Sequence, residues 1–186
     1  MDFMLPEVER RLLTLFSIEV LLIEDNPDDV RILNRFLSQS VVGRFETASV
    51  SLLEEALESL EKASFDIIIL DLNLPDSGGL DSLVKINERY SYTPIIILTG
   101  LYKHDLEAEA ISKGAQDYFI KGEYGSSILD KSIRCAIERK KELLELKKTK
   151  GELEIQAWGL QKTNEGIKLL YNELERKTEE LKRSRM

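Results

Sequence analysis

Residues 65–79 read FDIIILDLNLPDSGG, and this stretch decides the fold. Ile67, Ile68, Ile69, Leu70 and Leu72 surround a single acid, Asp71, and the run closes at Pro75 and Gly78-Gly79. A short β-branched aliphatic run bounded in this way predicts a strand buried on both faces of a parallel sheet. A lone carboxylate is expensive to bury, so Asp71 needs a partner. It stands at the strand's C-terminal end, the edge of an open α/β sheet where ligands bind. An isolated acid there could equally cap a turn. Other predicted strands, however, end in a similar way. Val20-Leu21-Leu22-Ile23 runs into Glu24-Asp25, Ile95-Ile96-Ile97-Leu98 into Thr99-Gly100, and Tyr118-Phe119-Ile120 into Lys121. Three carboxylates, a hydroxyl and an ammonium would then meet at one edge.

Helices are predicted between these strands. Asn26-Pro27 opens one, with Val30, Leu33 and Leu37 on a face that runs to about Ser40. Arg44–Ala48 reads as a weaker second strand. Leu52, Leu53, Ala56, Leu57 and Leu60 mark the next helix, which ends before Ser64. Leu80, Leu83, Val84 and Ile86 mark another, ended before Pro94, and Leu106, Ala110 and Ile111 a fourth, ended before Gly114. The last begins near Ser126-Ser127. Regular alternation with short connections implies a doubly wound α/β fold around a parallel sheet.

The order of acidic pair, Asp, Thr and Lys on successive strands resembles the receiver domain of two-component response regulators, over roughly Ile18 to Arg139. Pro75 after Asp71 fits the same pattern. The resemblance implies a flavodoxin-like, five-stranded sheet of order 2-1-3-4-5. It implies Asp71 as phosphoacceptor, phosphorylated by a sensor histidine kinase. It implies Mg2+ held by Asp25, Asp71 and the backbone carbonyl of Asn73, with Glu24 acting through water. Most receivers have Asp where Glu24 stands, so its longer arm leaves that role open. Lys121 would draw a phosphoryl oxygen, Thr99 would donate to another, and Tyr118 would be the switch aromatic that turns as Thr99 moves. Only self-catalysed transfer to Asp71 and slow loss of the group are implied, with no enzymatic turnover. One departure stands out: receivers usually follow this lysine with proline, whereas here Gly122-Glu123 follows.

Physical chemistry supports these roles. Clustered with Glu24 and Asp25, Asp71 faces like-charge repulsion that a hard divalent cation relieves. Lysine is a compact point charge suited to phosphate oxygens. His104, the only histidine, reads as an exposed loop residue, since Gly114 cuts off any long helix after it. The 186 residues carry a net charge of −8, which disfavours a nucleic-acid surface. The single Cys135 excludes an internal disulfide and fits a cytoplasmic protein. No apolar stretch approaches the ~20 residues of a membrane span.

Three parts are expected: an amphipathic helical extension at 1–17, built on Pro6, Val8, Leu12, Leu13 and Phe16; a receiver core at 18–126; and a long helical tail at 127–186. In the tail, Leu146, Leu153, Leu160, Ile167, Leu174 and Leu181 recur every seven residues. Leu143, Lys150, Ala157, Asn164, Tyr171 and Thr178 lie three residues ahead of each. Such heptads, with polar Lys150 and Asn164 at a positions, predict a two-stranded parallel coiled coil and a homodimer through 143–181. Gly151, Gly159 and Gly166 weaken the helix by about 1 kcal/mol each, and a fold-back hairpin is the alternative. Output is expected through protein contacts with no direct DNA binding, because Glu142, Glu145, Glu152, Glu154 and Glu165 interleave with the lysines. A pseudo-receiver scaffold and a phosphorelay intermediate remain as rival readings.

Overall fold

The structure is a computed structural model that describes residues 17–40, 43–100 and 104–183. In chain order the elements are β1 (Ser17–Ile23), α1 (Pro27–Ser38), β2 (Arg44–Val50), α2 (Leu53–Lys62), β3 (Ile67–Asp71), β4 (Asn73–Leu74), β5 (Ser77–Gly78), α3 (Asp81–Arg89), β6 (Ile95–Thr99), α4 (His104–Ser112), β7 (Asp117–Ile120) and α5 (Ser126–Arg183). The expected helix over residues 1–17 lies outside the described residues, except that Ser17 opens β1.

Five strands form a parallel sheet of order β2-β1-β3-β6-β7. With the β4–β5 hairpin set apart, this is the 2-1-3-4-5 order that the resemblance implies. The register brings Ile23 beside Leu70, Asp71 beside Leu98, and Thr99 beside Ile120. Strands β3 and β6 are buried at every position, as a continuous aliphatic run in a covered sheet requires.

Alternation along each strand sorts the core into two layers. Leu21, Ile23, Ile68, Leu70, Ile95 and Ile97 face Leu53, Ala56 and Leu60 of α2, Leu83 and Ile86 of α3, and Ala110 of α4. Val20, Leu22, Ile67, Ile69, Ile96 and Leu98 face Leu33 and Leu37 of α1, and Leu129, Ile133 and Ala136 of α5. Full burial of such a side chain contributes about 1.5–3 kcal/mol. The sheet thus forms a rigid floor whose C-terminal edge carries the polar residues.

Two details differ from the sequence reading. His104, expected in an exposed loop, is the first residue of α4, so the connection from β6 ends sooner than the chain pattern suggested. The segment after Asp71 folds as a small antiparallel hairpin, Asn73 pairing with Gly78 and Leu74 with Ser77. Its turn residue Asp76 accepts the backbone N–H groups of Leu53 (2.9 Å) and Glu54 (3.0 Å). Helix α2 has no side-chain cap of its own at Leu52, so Asp76 caps it from a distance. Burial raises the Asp76 carboxyl, but these hydrogen bonds, with help from Lys85, together outweigh it and hold the group below its ordinary value.

The chain divides into two compact units, one ending at Lys141 and the other beginning at Glu142. In the second unit α5 runs on without a turn through Gly151, Gly159 and Gly166, so the fold-back alternative finds no hinge within the described helix. Exposed pairs one turn apart, such as Lys150–Glu154 and Glu173–Lys177, contribute only tenths of a kcal/mol. Leu143, Leu146, Leu153, Leu160, Ile167, Tyr171, Leu174 and Leu181 are all between 44 and 68% exposed, leaving the heptad stripe open to solvent. No helix among the described residues is long and apolar enough to cross a membrane.

Gly114 turns the chain from α4 toward β7 at φ +107°, where an added Cβ would lie 2.4 Å from Asn87 Nδ2. That amide donates to the carbonyl of Lys113 at 3.2 Å. Gly114→Ala is therefore expected to cost about 1–3 kcal/mol through backbone strain alone. Gly78→Ala, with a negative φ and open space around it, is expected to change stability by less than about 0.5 kcal/mol. Urea denaturation of both variants tests the difference.

Candidate functional site

Three strand ends and one helix start build the site. The end of β1 supplies Glu24 and Asp25, β3 ends on Asp71, and Lys121 follows β7. One carboxylate oxygen from each of Glu24, Asp25 and Asp71 lies within 4.8 Å of the other two. Glu24 and Asp71 are each only 4% exposed, whereas Asp25 is exposed at the rim. Each buried carboxylate has one oxygen held by the backbone: Asn26 N–H donates to Glu24 Oε1 (3.1 Å), and Asn73 N–H to Asp71 Oδ1 (3.2 Å).

The other oxygen of each goes to Lys121. Its Nζ lies 2.7 Å from Glu24 Oε2 and 2.8 Å from Asp71 Oδ2. A third carboxylate, Asp29 in the first turn of α1, receives it at 2.9 Å. Three ammonium protons meet three acceptors, and no buried side-chain nitrogen or oxygen among the described residues lacks a partner. Burial works against the charge on Lys121, but the hydrogen bonds to Asp71, Glu24 and Asp29 outweigh it and push the pKa well up. For Glu24 the balance is reversed. Burial, with Asp71 adding to it, raises the carboxyl against the pull of Lys121.

The backbone after Lys121 explains how the chain manages without the usual proline. Lys121 N–H donates to the carbonyl of Thr99 (2.8 Å), and Glu123 N–H to that of Ile120 (3.1 Å). Gly122 closes this turn at φ +87°, a conformation open to glycine. The turn leads to Tyr124, whose ring packs on Phe36 of α1 (5.9 Å between centroids) and Phe119 of β7 (5.3 Å). Burial pushes the Tyr124 phenol up to about 12; Lys121 opposes the rise, and Asp29 and Glu24 reinforce it.

Thr99 is fully buried at the end of β6, and the Tyr118 hydroxyl shares a hydrogen bond with its side chain. Tyr118 is itself buried, which raises its pKa. The expected switch pair is therefore in direct contact, with the ring inside.

The structure thus brings Glu24, Asp25, Asp71 and Lys121 into one cluster and joins Thr99 to Tyr118. Asn73 sits two residues beyond Asp71, to which its N–H donates. Sequence reasoning passed over Asp29 and Tyr124. Acids are common in a helix's first turn, where the dipole favours them, and nothing in the local sequence announced a lysine partner 92 positions away.

Residues 20–132 match the response regulator receiver domain family, and the chain belongs to it. It is 33% identical over 120 residues to the response regulator protein FleR of Pseudomonas aeruginosa, a match that covers 64% of this chain and 24% of FleR. It is 34% identical over 102 residues to the cell cycle transcriptional regulator CtrA of Caulobacter vibrioides, covering 55% and 43%. The match thus spans less than half the length of either relative. Among solved structures, a response regulator receiver domain protein from Clostridium thermocellum superposes with a TM-score of 0.60 at 28% identity, covering 68% of this chain and 98% of that one. The signal receiver domain of an HD domain-containing protein from Pseudomonas fluorescens gives 0.59 at 26%, covering 68% and 99%. Receiver domains bind Mg2+ at an acidic pocket, and the all-oxygen set of Glu24, Asp25 and Asp71 fits a hard cation.

Lys121→Met would leave the buried Glu24 and Asp71 carboxylates without their counter-charge. Removing one partner of a buried ion pair costs about 3–5 kcal/mol, and urea denaturation of the metal-free protein at pH 7 is expected to read a loss of that order.

Proposed function

We propose that this chain is the receiver of a two-component pathway, taking a phosphoryl group on Asp71 from a partner sensor histidine kinase and signalling through protein contacts made by a dimeric tail. The observation that carries this reading is the convergence of buried Asp71, two further carboxylates and Lys121 at one sheet edge. Transfer forms an O–P bond to Asp71 and breaks the P–N bond of a phosphohistidine, whose ring nitrogen leaves with the electron pair. Asp25 and Asp71 would hold Mg2+ directly, with the Asn73 carbonyl, and Glu24 through water. Bound there, Mg2+ neutralises charge that builds between the carboxylates and the phosphoryl oxygens. Lys121 meets an equatorial oxygen as a point charge. The Thr99 hydroxyl exchanges Tyr118 for another phosphoryl oxygen, and loss of that bond frees the ring to change the face around β6, β7 and α4.

The tail follows from its bare stripe. Apolar a and d positions on a helix of this length need a covering helix, and Lys150 and Asn164 favour two parallel strands. Glutamates between the lysines suit contact with protein better than with a phosphate backbone. We place the protein in the cytoplasm, where its single Cys135 stays reduced.

Two experiments test this. Acetyl phosphate with Mg2+ is expected to label the wild type and leave Asp71→Asn unlabelled, while Asp25→Ala shifts the Mg2+ titration to higher concentration. Equal labelling of Asp71→Asn would place the acceptor elsewhere, and an unlabelled wild type would favour the scaffold reading. Light scattering at low micromolar concentration is expected to give a dimer that is lost on truncation after Glu142. Leu153→Ala with Leu160→Ala should also dissociate it, each buried Leu being worth about 2–5 kcal/mol. A monomeric mass for the full chain would end the coiled-coil reading.

A further inference from the structure

Two adjacent acids open α1 and do different work. Asp28 faces solvent and pairs with Arg31 one turn on. Asp29 points the other way, is largely covered, and reaches Lys121 Nζ at 2.9 Å. Their directions are set by the helix start: Asn26 caps it, its Oδ1 accepting the Asp28 N–H at 2.9 Å, and Pro27 fills the first position. Asp29 therefore sits on a rigid turn immediately after the Glu24-Asp25 pair.

The bonding around Lys121 gives this placement a purpose. Glu24 Oε2 and Asp71 Oδ2, which hold the ammonium, belong to carboxylates of the oxygen set that suits a divalent cation. Their remaining oxygens already accept backbone N–H groups. A cation between Glu24, Asp25 and Asp71, met directly by Asp71 and through water by Glu24, would compete with Lys121 for the negative charge of the same two carboxylates. Asp29 lies outside that set, so its claim on the ammonium is undiminished.

We propose that Asp29 is a positioning residue: it anchors the Lys121 ammonium at the site when a divalent cation draws off Glu24 and Asp71. Without it, the flexible four-carbon stem is free to swing into solvent when the cation binds. With it, the ammonium stays beside the position the phosphoryl oxygens take. This rests on the reading of the site as a Mg2+-dependent phosphoacceptor. It adds a role for a side chain that touches neither the metal set nor the acceptor.

The test measures acylation of Lys121 by an amine-reactive acetylating reagent on the full chain, read by mass spectrometry, without metal and at saturating Mg2+. Without metal, wild type and Asp29→Asn are both expected to protect Lys121, because Glu24 and Asp71 remain. With Mg2+, the wild type is expected to stay protected, Asp29→Asn to be acylated several-fold faster, and Asp29→Glu to recover much of the protection. Acetyl phosphate labelling of Asp71 at saturating Mg2+ is expected to slow about ten-fold in Asp29→Asn, as when an outer partner of a site is removed, with the half-saturating Mg2+ concentration nearly unchanged. A general loss of structure would instead expose Lys121 in both conditions. Equal protection of Asp29→Asn and wild type in Mg2+ overturns the role of Asp29 alone. A wild-type chain that binds no Mg2+ by calorimetry overturns the reading beneath it as well, and shows this without any variant.

Discussion

The C-terminal edge of this receiver is organised by one ammonium group held among three carboxylates. Glu24 and Asp71 are almost wholly shielded from water, and two such charges close together would drive one of them to take up a proton. Lys121 supplies the opposing charge between them, 2.7 Å from Glu24 Oε2 and 2.8 Å from Asp71 Oδ2. It also ties the end of β7 to the ends of β1 and β3 and to the first turn of α1. A buried charge cluster of this kind is poor evidence of net stabilisation, because desolvating the ions offsets their attraction. Its value lies in placement. The Asp71, Glu24 and Asp25 carboxylates and the lysine are held in one arrangement, the preorganisation on which the proposed transfer would draw.

That placement depends on the apolar layers beneath. Strands β3 and β6 are sealed on both faces, and their Ile and Leu side chains interlock with helices above and below. Close-packed interiors deform little, so Asp71 and Thr99 are fixed at adjacent strand ends. Around them lie the short β4–β5 hairpin, a glycine-closed turn after Lys121, and the Thr99–Tyr118 hydrogen bond.

Much of this was legible in the chain. Aliphatic runs ending in Asp, Thr or Lys announce buried strands with polar tips, and they place Asp71, Asp25, Thr99 and Lys121 without reference to distance. The heptads of the tail likewise announce a long helix, because their period is sustained over six repeats. What stayed hidden has a common physical cause. Asp29, Asp76 and Tyr124 act through partners far away in sequence, and each belongs to a residue type that is ordinary in its local setting. The β4–β5 hairpin is too short for any periodicity to register. His104 opens α4 two residues ahead of Leu106, the first apolar residue by which the sequence marks that helix. Gly122 was visible as a departure from the family pattern, but only its positive φ explains how the turn closes.

The remote cap on α2 carries one further consequence. Because Asp76 supplies what Leu52 cannot, α2 is not a self-sufficient part: its first turn is completed by the hairpin that follows β3. Replacing the hairpin, or moving α2 into another protein, would therefore strip the helix of its cap, whereas a substitute helix at the same place would keep it, because Asp76 holds backbone N–H groups. Conversely, a residue at position 76 chosen for the shape of the loop would be judged by a helix on the far side of that attachment. The two segments form a single structural module, and any engineered chimera of this receiver has its natural seams elsewhere.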